Sequence, residues 1–226
     1  MRILGLDTAT WRASVGLLID GQVVAEREQM TAGNHAVALL PLIDAVLRTA
    51  GCEVHDLDAV AVSSGPGSFT GLRVGFGIAK GLARATGMQL IGISTLAALA
   101  RSVTGHDGVI CALLDARRGE LYAACFAAAR GRFERLTADA LVTPEALLAT
   151  LPTPCVVVGD GGEKVGTMLR AHFGDGVTVL SSDAYAPRGA VVAAMAAERL
   201  RAGQSDDLPS AEPLYVRASD AELKFT

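Results

Sequence analysis

Short apolar runs open the chain and predict β-strands. Residues 2–7 and 13–20 are mostly aliphatic, and a further run covers residues 22–26. The Asp20 and Gly21 pair between the last two runs is typical of a tight turn, so these strands are expected to form an antiparallel hairpin. The chain therefore begins with three successive strands.

The spacing of apolar residues changes to three and four over residues 35–50, which predicts a helix that ends before Gly51. A helix with this pattern buries one face. The apolar residues assigned to that face are Val37, Leu39, Leu40, Ile43, Val46 and Leu47.

A buried strand at residues 57–63 leads into the glycine-rich loop 65–71 and then into a helix over residues 70–85. A strand at residues 89–93 and a short helix at 95–101 follow, and a similar order of elements recurs from Gly108. The later strands are predicted at residues 109–115, 120–127, 155–158, 177–180 and 213–216, and the later helices at residues 144–149, 163–172 and 189–201.

This recurrence indicates an α/β protein with two related lobes, each with a mixed sheet flanked by helices. Residues 1–104 are predicted to form the first lobe, and residues 105–217 a smaller second lobe. The charged end of the chain, residues 218–226, is predicted to be a flexible tail.

Composition and charge exclude several kinds of protein. Half of the residues are hydrophobic and 4% are aromatic, which favours a core of small aliphatic side chains. The formal charge of -4 provides no positive field for RNA or an anionic membrane, so direct binding to either is not expected. The four cysteines form no CxxC pair and no run of about 18 apolar residues occurs, so neither a zinc site nor a membrane span is predicted. We expect a cytoplasmic protein.

Two aspartates stand at the ends of matching strands in the two predicted lobes. Asp7, with Thr8, and Asp115 could face the phosphates of a nucleotide, while the turn with Gly159 and Gly161 could hold its adenosine. The alternative is that each aspartate caps a turn with its own backbone and that the glycines form a tight strand-to-helix turn. Both interpretations remain open from the sequence.

One functional hypothesis is an autonomous nucleotide-dependent enzyme, such as a small actin-like ATPase or kinase. Such an enzyme needs small residues where phosphate approaches, but Arg117 and Arg118 occupy the second turn. A metalloprotease needs a second helical ligand one turn after His35, and that residue is Leu39. No catalytic residue or metal ligand is assigned, and metalloprotease activity is not expected.

The helix over residues 70–85 contains several glycines, and each interior glycine costs about 1 kcal/mol relative to alanine. Ser68 or Thr70 is expected to cap its N-terminus. Small residues at every fourth position form a stripe, which is predicted to receive a helix of another chain; the alternative is close packing on the protein's own sheet. The predicted interface consists of Gly71, Leu72, Gly75, Phe76, Ile78, Ala79, Leu82 and Ala83.

Several motifs in the chain resemble those of the bacterial TsaB (YeaZ) family. They are residues 3–8 (ILGLDT), 34–35 followed by 39–44 (LLPLID), 65–73 (GPGSFTGLR), 79–82 (AKGL) and 114–120 (LDARRGE). The string 65–73 is the most characteristic, and the similarity extends from residue 1 to residue 217. One departure is that Ala36 and Val37 stand where the family commonly has a Ser-Glu pair, which argues against a polar role there.

The resemblance implies a two-lobed fold of the actin, sugar kinase and heat-shock ATPase type. It also implies a non-catalytic subunit that supports the synthesis of threonylcarbamoyladenosine in tRNAs reading codons that begin with A. The implied partners are a TsaD-like catalytic subunit, bound as a heterodimer, and a TsaE-like ATPase. The isolated chain is expected to form a homodimer through the glycine-rich helix. No cofactor is implied as a requirement, and weak binding of ATP or ADP is compatible with this fold.

Overall fold

The computed structural model describes residues 1–31 and 34–217. Strands and helices alternate in this part of the chain, as the hydrophobic pattern predicts. The strands are Arg2–Asp7 (β1), Arg12–Ile19 (β2), Gln22–Met30 (β3), Ala59–Gly65 (β4), Gln89–Ser94 (β5), Gly108–Asp115 (β6), Leu121–Ala129 (β7), Arg132–Arg135 (β8), Ala140–Val142 (β9), Cys155–Val158 (β10) and Val177–Val179 (β11). The α-helices are His35–Ala50 (α1), Phe69–Thr86 (α2), Thr95–Arg101 (α3), Pro144–Thr150 (α4), Asp160–Phe173 (α5) and Gly189–Arg201 (α6).

The chain divides into two units, and the first comprises residues Met1–Ala98 and Pro187–Tyr215. Its sheet has the strand order β3-β2-β1-β4-β5, with β1 antiparallel to β2 and parallel to β4. The predicted hairpin between β2 and β3 is confirmed, and its turn places Asp20 and Gly21 at positive φ. Helices α1 and α2 pack into one core with this sheet, and α6 packs into a second core with residues on its other face.

Helix α1 shows which part of the hydrophobic pattern is buried. Leu39, Ile43 and Val46 lie in the core, whereas Val37 is 68% exposed and Leu40 is 55% exposed. The assignment of these last two residues to the buried face is therefore wrong. At 100° per residue, Val37 lies about 160° around the helix from Leu39, and Leu40 lies about 100° from it.

The predicted boundary between the lobes is corrected by helix α6. The sequence prediction places it in the second lobe, but it belongs to the first unit and packs against β1 and β2. The approach is close because both strands carry glycine at the contact. A Cβ on Gly5 would lie 2.0 Å from the Gly189 carbonyl oxygen, and one on Gly16 would lie 2.2 Å from the Ala190 nitrogen.

The segment after α6, residues 203–215, stays on the first unit and is called the strap here. The Asp206 N–H donates to the Leu90 carbonyl at 3.0 Å, and the Lys80 ammonium donates to the Ala211 carbonyl at 2.9 Å. The strand predicted at residues 213–216 does not form. Leu214 donates one hydrogen bond to the Ser64 carbonyl, but the preceding residue is Pro213, which has no N–H to extend a ladder.

The second unit comprises residues Leu99–Ala186 together with Val216 and Arg217. Its sheet has the order β11-β10-β6-β7-β8, and β9 pairs with β7. Strands β6 and β7 form an antiparallel hairpin, while β10 runs parallel to β6 and β11. Strands β8 and β9, with four and three residues, were not predicted because their sequences are short and mixed in polarity. The predicted flexible tail, residues 218–226, lies outside the described residues.

Candidate partner interface

Local sequence signals determine where helix α2 begins and ends. The Ser68 hydroxyl oxygen accepts a hydrogen bond from the Gly71 N–H at 3.2 Å, so the predicted N-cap is confirmed at Ser68. At the other end Gly87 takes a left-handed conformation with φ of 78°, and its N–H donates to the Ala83 carbonyl. The helix presents two sides that both carry small residues.

The predicted interface stripe on α2 faces the protein's own sheet. A Cβ on Gly71 would lie 2.0 Å from the Thr8 carbonyl oxygen, and one on Gly75 would lie 2.4 Å from Thr8 Oγ1. Further along the helix, Ala79 and Ala83 are buried in the same core. The small residues let α2 approach β1 and β4 closely, so the alternative of internal packing is correct for this stripe.

Of the other four residues of the predicted interface, two are buried and two are partly exposed. Leu72 and Phe76 are buried, so they are also wrongly assigned to a partner contact. Ile78 and Leu82 are half-buried and pack against the core of the first unit. Of the eight predicted residues, these two alone are partly exposed.

The opposite side of α2 carries two glycines that no contact within the described chain explains. A Cβ on either Gly77 or Gly81 would meet nothing within 4 Å. Both glycines lie inside an 18-residue helix, where each costs about 1 kcal/mol relative to alanine. Glycine on an exposed helix face removes bulk, so the backbone of another helix can come close there.

Helix α1 lies beside α2 on the same face of the sheet. Its exposed side carries Val37 and Leu40, both large apolar residues in contact with solvent. We call the exposed residues Val37, Leu40, Gly77 and Gly81 together the α1–α2 face. Sequence reasoning missed Val37 and Leu40 as surface residues, although their angular distance from Leu39 was a signal that could have found them.

Asp7 and Thr8, the nucleotide-binding candidates of the first unit, are fully buried. The Ser63 hydroxyl donates to Asp7 Oδ2, whereas Asp7 Oδ1 has no hydrogen-bond partner among the described residues. Burial raises the pKa of Asp7 to about 7, although the Ser63 hydrogen bond opposes the shift. The Thr8 hydroxyl donates to the Gly71 carbonyl at 2.7 Å, so it ties the β1–β2 loop to the start of α2.

Asp115, the candidate of the second unit, is held by its neighbours. It accepts from the Lys164 ammonium at 2.9 Å and from the Arg117 N–H at 2.9 Å. Partial burial raises its pKa, but these hydrogen bonds outweigh that effect and place the pKa below its usual value. The hydrogen bond from the Arg117 N–H is the turn cap that the sequence analysis gave as the alternative to nucleotide binding. Arg117 and Arg118 both have positive φ in this turn.

Gly159 and Gly161 stand at the start of α5, three residues earlier than the predicted helix. Gly159 has φ of 104°, and a Cβ on it would lie 2.2 Å from the Leu113 carbonyl oxygen. A Cβ on Gly161 would lie 2.8 Å from the Leu114 carbonyl carbon. Both glycines therefore serve a tight turn between β10 and α5 that packs on β6, and nucleotide binding here stays a prediction.

Over residues 1–31 and 34–217, no helix combines the length and the apolar composition needed to cross a bilayer. In the same part of the chain, no group of three or more His, Cys, Asp and Glu side chains is arranged to hold a metal ion.

One family model and two full-length relatives match the chain. The TsaD family model, described as tRNA N6-adenosine threonylcarbamoyltransferase, matches residues 23–225. The tRNA threonylcarbamoyladenosine biosynthesis protein TsaB of Escherichia coli (strain K12) is 34% identical over 238 residues, an overlap that covers 100% of this chain and 98% of the relative. The protein of the same name from Bacillus subtilis (strain 168) is 28% identical, with the same coverage.

Solved structures agree with these relatives. YeaZ from Pseudomonas aeruginosa has a TM-score of 0.82 and 28% identity, and the match covers 95% of this chain and 99% of that one. A second Pseudomonas aeruginosa structure, described as an uncharacterized protein with similarity to peptidase YeaZ, has a TM-score of 0.83 and 27% identity, covering 96% and 99%. A ROK hexokinase from Thermus thermophilus has a TM-score of 0.51 and 15% identity, and the match covers 90% of this chain and 100% of that one. At this identity the likeness shows only that the two proteins share the sugar kinase type of fold.

The predicted actin-like α/β fold is thus confirmed. The family model matches most of the chain, and the Escherichia coli relative is similar over its whole length. The chain therefore belongs to the TsaB (YeaZ) family of tRNA threonylcarbamoyladenosine biosynthesis proteins, within the group that the TsaD model describes.

Proposed function

We propose that this chain is a non-catalytic subunit that pairs with a TsaD-like catalytic chain in the synthesis of threonylcarbamoyladenosine in tRNA. Membership of the TsaB family supports the process. The observation that supports the pairing is the α1–α2 face. Gly77 and Gly81 remove bulk from the exposed side of α2, and the neighbouring helix α1 exposes Val37 and Leu40.

The geometry of the α1–α2 face suits a helix from a related chain. Exposed glycines allow two helix backbones to approach closely, and the flanking valine and leucine supply apolar area to bury. This chain matches the TsaD family model over residues 23–225, so we expect a TsaD-like partner to share the fold and to present an equivalent helix pair. In the isolated protein, the α1–α2 faces of two copies would contact each other in an isologous homodimer. The catalytic partner then displaces one of the two copies. A TsaE-like ATPase and tRNA join only the assembled complex.

The non-catalytic role is supported by the contacts of the candidate nucleotide-binding groups within their own units. The Thr8 hydroxyl is bonded to Gly71, and Asp7 is buried beside Ser63. Asp115 forms an ion pair with Lys164. These groups stabilise their own units, which counts against an autonomous ATPase or kinase and leaves weak nucleotide binding as a secondary property at most.

Gly77→Leu tests the proposal. The substitution adds bulk on an open helix face, and glycine is the poorer helix former, so the melting temperature should stay the same or rise. Affinity for the TsaD-like subunit, measured by titration calorimetry, should fall by at least about 10-fold, equivalent to about 1.4 kcal/mol. Formation of threonylcarbamoyladenosine in tRNA, measured by mass spectrometry with the full set of subunits, should fall in parallel.

Ala171→Leu is the matched control, because it adds a leucine to an exposed helix position in the second unit. It should leave both affinity and tRNA modification unchanged. Wild-type affinity for Gly77→Leu, in a well-folded protein, would exclude the α1–α2 face as the contact.

A further inference from the structure

Three of the four cysteines lie together in the core of the second unit. Cys111 is on β6, Cys125 on β7 and Cys155 on β10, and all three are buried in the same hydrophobic cluster. Cys52 belongs to the first unit. The proposed function assigns no role to these thiols.

Cys111 and Cys125 are direct cross-strand partners in the antiparallel β6–β7 ladder. The Cys125 N–H donates to Thr137 Oγ1 at 2.8 Å, and its carbonyl accepts from the Leu136 N–H at 2.8 Å. Both backbone groups of Cys125 therefore point away from β6. This makes the two cysteines a non-hydrogen-bonded pair, the type in which opposite residues come closest.

The spacing of such a pair suits a covalent bond between the side chains. Opposite Cα atoms in a non-hydrogen-bonded pair are about 4.5 Å apart, within the range of about 4.4–6.8 Å that a disulfide spans. The two side chains project from the same face of the sheet, because the cysteines are directly opposite each other in the ladder. Cys155 lies opposite Val109 instead, so it faces neither thiol directly.

We propose that Cys111 and Cys125 form a redox-active pair that a peroxide converts into a cross-strand disulfide. In the first step, Cys125 Sγ attacks one peroxide oxygen, the O–O bond breaks, and a sulfenic acid and water form. In the second step, Cys111 Sγ attacks Cys125 Sγ, the S–O bond breaks, and the hydroxyl leaves as a second water with the Cys111 proton. The two thiols lose two electrons and two protons, and one peroxide is reduced to two waters.

The environment of each thiol determines the order of these steps. The neighbouring Cys111 thiol lowers the pKa of Cys125, burial opposes this shift, and the Thr137 hydroxyl reinforces the lowering. Cys125 is also the less deeply buried of the two, at 7% exposed against 0% for Cys111. Burial raises the pKa of Cys155 to about 11, so it stays a thiol. Because the thiolate is the nucleophile, Cys125 reacts first and Cys111, its neighbour, resolves the sulfenic acid.

The disulfide would close a loop around residues 112–124, which include the turn with Arg117 and Arg118. Linking the two strands reduces the freedom of the unfolded chain and so stabilises the second unit. The oxidation state of the pair would thereby control the stability of the hairpin on which Asp115 stands.

The experiment uses the full, reduced chain treated with one equivalent of hydrogen peroxide and then blocked with N-ethylmaleimide. Trypsin cleaves after Arg117 and Arg118, so the two cysteine peptides stay together only when a disulfide links them. We expect mass spectrometry without reductant to find the linked Cys111–Cys125 peptides, and dithiothreitol to restore both thiols. The melting temperature of the oxidised chain should rise by about 5–15 °C.

Cys111→Ser and Cys125→Ser should each abolish the linked peptide and the temperature shift, whereas Cys52→Ser and Cys155→Ser should retain both. The melting temperature of each reduced variant confirms that it folds, and the wild-type peptide map decides the proposal independently of all variants. Three outcomes would each overturn the proposal. They are four cysteines that all carry N-ethylmaleimide, a disulfide that uses Cys155 or Cys52, and a sulfinic acid on Cys125 with no disulfide to Cys111.

Discussion

Gly75 lies directly against Thr8, since a Cβ on this glycine would be 2.4 Å from the Thr8 Oγ1 atom. Thr8 cannot move away freely, because its hydroxyl donates to the Gly71 carbonyl at 2.7 Å. The contact joins α2 to the end of β1, so the glycine is required for the packing of the first unit.

Gly75→Leu should therefore destabilise the protein. Overpacking at a closed contact costs about 1–3 kcal/mol or more, which exceeds the gain of about 1 kcal/mol in helix propensity. We expect a lower melting temperature and a lower urea midpoint. Gly77→Leu, two residues away on the open side, is the control and should show no loss when both variants are measured at a concentration where the chain is monomeric. Equal stability of the two variants would contradict the assigned faces of α2.

Val37→Asp and Leu40→Asp should disrupt pairing without unfolding the protein. Both side chains are largely exposed, so a carboxylate in the free chain stays hydrated, but in a closed interface it would be buried without a partner. Sedimentation should show loss of the homodimer, and calorimetry should show weaker binding of the TsaD-like subunit. Leu136→Asp, at a 49% exposed leucine in the second unit, should change neither property. Dimerisation of Val37→Asp and Leu40→Asp at wild-type affinity would argue for another surface.

Asp7 should make the stability of the protein depend on pH near neutrality. Burial raises its pKa from an ordinary value of 3.8 to about 7, so the folded state holds a proton that the unfolded state releases. Stability should then decrease as pH rises from about 4 to 7, by about 1.4 kcal/mol for each unit of pKa difference. Urea unfolding measured at intervals across this range should show a flatter profile for Asp7→Asn than for the wild type. The exposed Asp175→Asn is the control, and an unchanged slope in Asp7→Asn would refute the assignment.

Asp206→Ala should loosen the strap. The carboxylate of Asp206 accepts a hydrogen bond from the Gly92 N–H and forms an ion pair with Arg199 at 2.8 Å. Its removal leaves the Gly92 N–H without its acceptor and the partly exposed Arg199 guanidinium without its ion-pair partner, at a cost of about 1 kcal/mol. Limited proteolysis should cut the variant faster after residue 203. Glu212→Ala, at an exposed position of the strap, should be cut at the wild-type rate.

The purified chain should hydrolyse neither ATP nor peptides above background when magnesium, zinc or iron is added. The reason is that Thr8 and Asp115 are already engaged with Gly71 and Lys164, and Asp7 is buried. Turnover is measured by release of phosphate and of a fluorescent peptide fragment. An activity that disappears in Asp7→Asn or Asp115→Asn would make the chain an enzyme, whereas weak binding of ATP alone would leave the proposed role intact.

Much of the local structure could be predicted from the sequence because it depends on neighbouring residues. The hairpin at Asp20 and Gly21 follows from turn chemistry, and the end of α1 at Gly51 follows from a left-handed C-cap. The start of α2 follows from the Ser68 cap. The family motif at residues 65–73 could also be recognised from the sequence, because its residues are contiguous.

The orientation of α2 and the grouping of distant segments depended on the tertiary structure. Both sides of α2 carry glycine, so the helical period alone could not decide that Gly75 meets Thr8 while Gly77 meets nothing. The return of α6 to the first sheet, and the opposition of Cys111 and Cys125, likewise arise from contacts and strand register between residues far apart in sequence. Local propensity and the spacing of apolar residues determine which segments form helices or strands. Which face of an element is buried depends on the surface against which it packs, and distant parts of the chain provide that surface.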